Sequence, residues 1–481
     1  MNNLQHPSIG VSSETGALKK VLIHSPDRGV GKVIPSKAQD WLFEDIVHLK
    51  TIRSGEYDYF VKLLLYFIDP EKVRGKIAEI DRDQHRKFYK PGNQSYFDSD
   101  KVMDIERLLA VVLEDRSVRK EFTAALCAVE RCSYQTRILL DKFSSAELAT
   151  IAISGVLPDR KMIFAPLPNL IFTRDVGITI NDHFLLSKTS KIARSREALL
   201  AQYVFFCHPV FETLRGKIIE VPENEHHFLL PDDHKANGNY LSMLEGGDVM
   251  MVAPDHLLIG CSERTTIYAA QSVMQMLFEK NIVKKVTILK IPHKRDYMHI
   301  DTIFTQVRKD MWVLLGSLGR LGDERKKAFS GHFDWQLSET EYIGIMQYIN
   351  DSHTPTRIFD NLEDLLADIS KNDLGCEESV KFVYSGNNEF PFGAREQWTD
   401  SCNLLALKEG VVVGYDRNDK TLEAFRNHHF EIIGAADLLN QFESGILSPD
   451  SLQNTLITLP SAELSRARGG THCMSLPLLR E

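Results

Sequence analysis

Most of the chain alternates short apolar runs with turn residues, the pattern of β-strands; one long block departs from it. Leu18-Lys19-Lys20-Val21-Leu22-Ile23-His24 is the first such run, halted by Ser25-Pro26-Asp27. Residues 1–16 ahead of it read as a loose lead-in. From about Asp58 to Ser154 the apolar positions change to helical spacing, as in Ile105-Glu106-Arg107-Leu108-Leu109-Ala110-Val111-Val112-Leu113. A serine followed by Glu147 in Phe143-Ser144-Ser145-Ala146-Glu147-Leu148 predicts a helix start. The spacing therefore predicts a helical bundle over 58–155, inserted between 1–57 and 156–481.

Beyond Pro168 the strand pattern returns as a repeat. Asp175, Asp248, Asp301 and Asn403 each open a predicted hairpin of two apolar runs around a polar turn. Three of these hairpins run toward predicted helical stretches that contain an arginine, at Arg194, Arg264 and Arg417. A strand is expected after each, at 217–221, 286–289 and 430–433. The predicted unit is strand, strand, helix, strand. Such units set around an axis would gather Asp175, Glu245, Asp248, His299, Asp301 and Cys473 into one pocket. The stretch 320–392 fits least and reads as an elaboration of one unit. In it, 343–349 and 362–366 are expected to be helical, and 385–388 a loop.

Those residue types suggest a chemistry. Paired carboxylates in a partly buried pocket favour a cation, and a planar guanidinium can donate paired hydrogen bonds to each of them. The guanidinium carbon is a poor electrophile, so attack on it needs a thiolate. Cys473 follows Arg468-Gly469-Gly470 and precedes an apolar stretch suited to burial. His299 could protonate the departing nitrogen and then activate water, with Glu245 orienting it. His299, Asp301 and Glu245 could instead ligate a metal, though no second histidine stands at ligand spacing.

Composition removes several other classes. A net charge of −9 argues against nucleic acid or an anionic membrane as the main partner. No apolar run is long enough to span a bilayer, and the first residues lack the basic and apolar regions of a signal peptide. Seven cysteines, an odd number without a CxxC pair, fit a reducing cytoplasmic location better than a disulfide framework. At 481 residues the chain has room for a large core.

Several long motifs in order carry a family resemblance. They are 168–175 (Pro-Asn-Leu-Ile-Phe-Thr-Arg-Asp), Glu245-Gly246-Gly247-Asp248, 298–305 starting Met-His-Ile-Asp, Gln397-Trp398-Thr399-Asp400 through Asn418, and 467–475 around Cys473. On these the chain resembles the arginine deiminases, within the guanidino-group-modifying (amidinotransferase) superfamily. The resemblance runs from about Glu14 to the C-terminus and is weakest in the helical block and in 320–392. It implies a five-bladed pseudo-symmetric α/β propeller with a helical insertion. It implies hydrolysis of L-arginine to L-citrulline and ammonia with no metal or other cofactor, by a homo-oligomer.

By motif it makes Cys473 the nucleophile and His299 the acid and base, with Asp175 and Asp301 on the guanidinium and Glu245 supporting the histidine. Asn169, Arg194, Arg264 and Arg468 fall on the positions that bind substrate carboxylate, and Asp248 is placed with the substrate-binding set. Two alternatives stay open at this point. One is an amidinotransferase, in which an amine rather than water takes the amidino group. The other is a catalytically silent arginine-binding regulatory protein.

Overall fold

The computed structural model describes residues 9–43, 45–189, 191–223, 242–320, 343–350, 352 and 354–481. The first eight residues of the expected lead-in, and 321–342 of the expected elaboration, lie outside this set. The fold is mixed α/β, with five small sheets among the described residues.

Strand β1 (Leu18–Ile23) is followed by helices α1 (Asp58–Ile68) and α2 (Ile77–Arg82). Strand β2 (Val102–Asp104) then pairs parallel with β1. Helices α3 (Ile105–Val112), α4 (Arg116–Val129), α5 (Tyr134–Leu140) and α6 (Ser145–Ser154) complete the helical block. Each start has a local cause. Asp104 and Asp115 accept from the first free amides of α3 and α4, and Ser144 with Glu147 forms a reciprocal capping box on α6. The block does not build a core of its own. Phe60 and Leu64 of α1 share one buried cluster with Val413, Ile457 and Cys473, and Leu109, Phe122 and Leu148 share another with Phe184 and Leu478.

The repeat is visible in the next two units. Antiparallel β3 (Gly177–Ile180) and β4 (His183–Leu186) lead through α7 (Ser195–Cys207) to β5 (Ile218–Glu220), parallel to β4. Antiparallel β6 (Val249–Ala253) and β7 (His256–Cys261) lead through α8 (Ile267–Glu279) to β8 (Lys285–Lys290), parallel to β7. Arg194 and Arg264 stand just before α7 and α8, not within them, where the chain faces the pocket; Arg417 likewise precedes its helix.

The third unit is interrupted. β9 (Phe304–Arg308) and β10 (Met311–Leu314) form the hairpin. β11 (Gly344–Ile349) then leaves to pair with β8 of the previous sheet, carrying β12 (Arg357–Phe359) at its edge. The stretch 343–349, expected to be helical, is therefore a strand. From 343 to 347 burial alternates, with Ile343, Ile345 and Gln347 buried and Gly344 and Met346 half-buried; Tyr348 on the second face is buried too, and apolar residues on both faces disguise the period of two in the sequence. Helix α9 (Leu362–Asp368) forms as expected, and β13 (Lys381–Tyr384) returns to pair with β10.

After α10 (Phe392–Trp398), β14 (Leu405–Lys408) and β15 (Val411–Tyr415) form the fourth hairpin. Helix α11 (Asp419–Asn427) leads to β16 (Glu431–Gly434), which forms where a strand was expected but sits at the sheet edge. The place beside β15 is taken by β17 (Thr455–Leu459), reached through α12 (Ala435–Glu443) and unpredicted from sequence. Last, β18 (Leu476–Arg480) pairs antiparallel with β1, so the fifth sheet, β18-β1-β2, joins both ends of the described chain. Among the described residues no helix is long and apolar enough to cross a membrane.

Candidate active site

Each hairpin-opening aspartate lies in a single 3-10 turn before its strand: Thr173–Val176, Gly246–Asp248 and Ile300–Thr302. These turns converge with the loop before β18 on a cavity of about 170 Å³, lined by Cys473, His299, Asp175, Glu245, Asn169, Arg194, Arg264 and Arg468 among others. All but two of the ten site residues expected from sequence thus face one space. The other two, Asp301 and Asp248, are not among its lining residues. Asp301 is fully buried and its Oδ2 lies 3.5 Å from Cys473 Sγ. Asp248 is also fully buried, with Oδ2 accepting from Ser262 Oγ (2.6 Å) and Oδ1 from the Ile300 amide (3.1 Å). Its carboxylate fixes the backbone beside His299 and does not face the cavity.

His299 Nε2 is 3.2 Å from Glu245 Oε2, and its Nδ1 is 3.8 Å from Asp175 Oδ1. Burial alone would disfavour the imidazolium, but the charges of Asp175 and Asp248 and the bond to Glu245 raise its pKa to about 10. The histidine is therefore a proton carrier at neutral pH. The ring fits only because residue 247 is glycine: a Cβ there would lie 2.5 Å from Nδ1.

Cys473 is in the opposite condition. Burial, then the negative charges of Asp301, Asp175 and Asp400, push its thiol well above the ordinary value, against a smaller opposing contribution from Asn403. The resting sulfur is a thiol, and a cation placed among these carboxylates would favour its ionisation.

Two residues not singled out from the sequence complete the surroundings. His472 Nδ1 is 2.9 Å from Asp301 Oδ2 and its Nε2 is 3.2 Å from Glu14 Oε2. Burial works against the Asp301 charge, but the bond from His472 and nearby positive charge hold its carboxyl below the usual range. Adjacency to Cys473 was the one signal for His472; Glu14 lies 458 residues away and had none.

Arg194 is placed in the cavity wall, with its guanidinium engaged by three carboxylates. Nε donates to Glu197 (2.8 Å), and Nη1 donates to Asp175 (2.9 Å) and Glu245 (3.0 Å). Asp175, Glu245 and His299 offer atoms close enough together to hold a metal ion. Arg194 Nη1 already bridges two of them, so a guanidinium of the protein's own stands where that ion would. Arg264 Nη1 lies 3.9 Å from Glu245 Oε1. Arg468, with a left-handed backbone (φ 64°), lays its guanidinium 3.3 Å from the Trp398 ring centroid. Asn169 Nδ2 donates to the Trp41 carbonyl at 2.9 Å.

Each of the three carboxylates acting on Cys473 has one buried oxygen with no hydrogen-bond partner, Asp175 Oδ1, Asp301 Oδ1 and Asp400 Oδ2; that of Asp175 faces His299 Nδ1 at 3.8 Å. Buried carboxylate oxygens are rarely left so.

An α/β fold whose cavity gathers a buried thiol, a protonated histidine and several carboxylates defines a class of site, one whose charge suits a cationic, N–H-rich group. The family follows from comparison. The arginine deiminase family pattern matches residues 40–480, and the chain belongs to that family. An arginine deiminase of Bacillus cereus (strain ATCC 10987 / NRS 248) is 29% identical over 503 residues, covering 99% of this chain and all of the relative. One from Staphylococcus haemolyticus (strain JCSC1435) is 27% identical, with 98% of each chain covered. Among solved structures, an amidinotransferase from Microseira wollei superposes with a TM-score of 0.44 at 12% identity, covering 98% of this chain and 97% of that one.

Proposed function

We propose that this protein hydrolyses L-arginine to L-citrulline and ammonia through a covalent intermediate on Cys473. The observation that carries the reading is the carboxylates gathered at Cys473: Asp175 lines the cavity with it, Asp301 Oδ2 lies 3.5 Å from its Sγ, and each keeps one buried oxygen without a hydrogen bond. A guanidinium bridging them would satisfy both. Its charge would also offset the carboxylates that keep the thiol protonated, so substrate entry would release the thiol proton.

The thiolate attacks the guanidinium carbon. The bond to a terminal nitrogen breaks as His299 gives up its proton, and ammonia leaves and takes up the proton lost by the thiol. Neutral His299 then takes one proton from water, whose oxygen bonds to the same carbon. The carbon–sulfur bond breaks, the sulfur takes the second proton, and the resting pair of thiol and imidazolium is restored. Glu245 holds His299 through its Nε2. Arg264, Arg468 and Asn169, which line the cavity, suit the carboxylate end of a free amino acid. On this reading Arg194 must shift from Asp175 when the substrate's guanidinium arrives. The five sheets are read as the blades of a fivefold α/β propeller, with 58–155 as an insertion that contributes β2 to one blade.

Citrulline and ammonia released from L-arginine alone by the parent, and none by Cys473→Ser, is the expected result. Citrulline only when an amine acceptor is added would favour the amidinotransferase. Tight arginine binding without turnover in the parent would favour the silent binding protein.

A further inference from the structure

The fourth hairpin differs from the first three in its opening residue: an amide, Asn403, replaces aspartate. Its side chain is fully buried. Oδ1 accepts from the Cys473 amide at 3.0 Å, and Nδ2 donates to the Asp301 carbonyl at 3.1 Å. The opposite orientation would set donor against donor and acceptor against acceptor, so the two neighbours fix the amide. Its own carbonyl accepts from Thr471 Oγ1 (3.3 Å) and the His472 amide (3.4 Å). The approach is so close that a Cβ at Gly470 would fall 2.6 Å from Asn403 Oδ1.

We propose that Asn403 is a positioning residue for the reaction: its amide ties the main chain of Cys473 to that of Asp301 and so sets the distance between sulfur and carboxylate. A carboxylate could not do this, because it cannot donate to the Asp301 carbonyl. Asp248 provides the contrast: at the same place in its unit it meets two donors, the Ile300 amide and the Ser262 hydroxyl, and there an acceptor-only side chain suffices. The residue type at each opening position follows from what the neighbouring loop presents to it.

The proposal rests on Cys473 as the nucleophile, and its test separates the two ideas. Asn403→Leu removes both bonds at similar volume; Asn403→Asp keeps only the acceptor. For the leucine variant kcat is expected to fall about 100-fold, the cost of a misplaced reacting group, with KM within about threefold. The aspartate variant should fall less in kcat. In both, the pH profile for alkylation of Cys473 by iodoacetamide should move from the parent's, because the distance between sulfur and the Asp301 carboxylate changes, a readout that a purely structural role would leave in place. A kcat within threefold of the parent in both variants overturns the proposal, as does an unmoved alkylation profile. If the variants do not fold, hydrogen exchange at the Cys473 amide of the parent decides: protection supports the tie and rapid exchange refutes it. If the parent does not turn over arginine, the function fails while the alkylation profile still tests Asn403.

Discussion

Asp301→Asn should make Cys473 more reactive toward a neutral reagent while disabling it toward arginine. The resting thiol is held protonated by burial and by three carboxylates, of which Asp301 is the strongest influence. Its Oδ2 is 3.5 Å from Sγ. Repulsion between a thiolate and a carboxylate at that range is on the order of 4–5 kcal/mol at an effective dielectric near 20. Relieved in full, it would multiply the thiolate population at fixed pH about a thousandfold. Water entering the site and a weaker hold on His472 reduce that, so a rise of at least about tenfold in alkylation rate at neutral pH is expected. Iodoacetamide is the right probe, because a charged reagent would feel the altered field directly. Six other cysteines are present, so the adduct must be located by peptide mass with Cys473→Ser as control. Arginine turnover in the same variant should fall about 100- to 1000-fold, because on the proposed reading one of the two guanidinium acceptors is gone. An alkylation rate equal to or below the parent's, in folded protein, would refute the electrostatic account of the resting thiol.

Other outcomes follow from single features. Gly247→Ala would put a Cβ 2.5 Å from His299 Nδ1 and should cut kcat about 100-fold while the protein stays folded; unchanged turnover would show that the ring has room to move. His299 binds its proton more tightly when folded, at about 10 against an ordinary 6.5, so the stability it contributes is whole below pH 6.5 and is lost as pH rises toward 10. Denaturation midpoints of the parent and His299→Gln should therefore converge over that window, and a widening gap would contradict the assignment. Ile345→Ala, in the buried face of β11, should cost about 2–5 kcal/mol, and Met346→Ala on the other face clearly less; equal losses would speak against the strand register.

The hairpins could be read from the sequence because each is local: two apolar runs and a turn fix β3–β4 or β6–β7 within about a dozen residues. Cys473, His299 and the aspartates could be read because their motifs are contiguous. What escaped depends on distant partners. Nothing within 343–349 says that its strand will cross to β8, and Met346 and Tyr348 hide its alternation. β17 displaces β16 from β15 through a pairing that no local pattern announces. Glu14 reaches His472 only because β1 and β18 share a sheet. The three acidic partners of Arg194 became visible only once Glu197, Asp175 and Glu245 were seen in one place.

The sheet that joins β18 to β1 bears on how the protein assembles and wears out. Gly16 and Arg480, bonded across it, are 464 residues apart in sequence. Bringing such distant segments together costs about 5 kcal/mol of chain entropy in the simplest estimate, and contacts of that span form late in folding. Cys473 sits on the late-arriving side of this seam, three residues before β18. Competence is then among the last properties the folding chain acquires, and under mild heating it should be among the first to go, while α1, α3 and the inner hairpins still hold their structure.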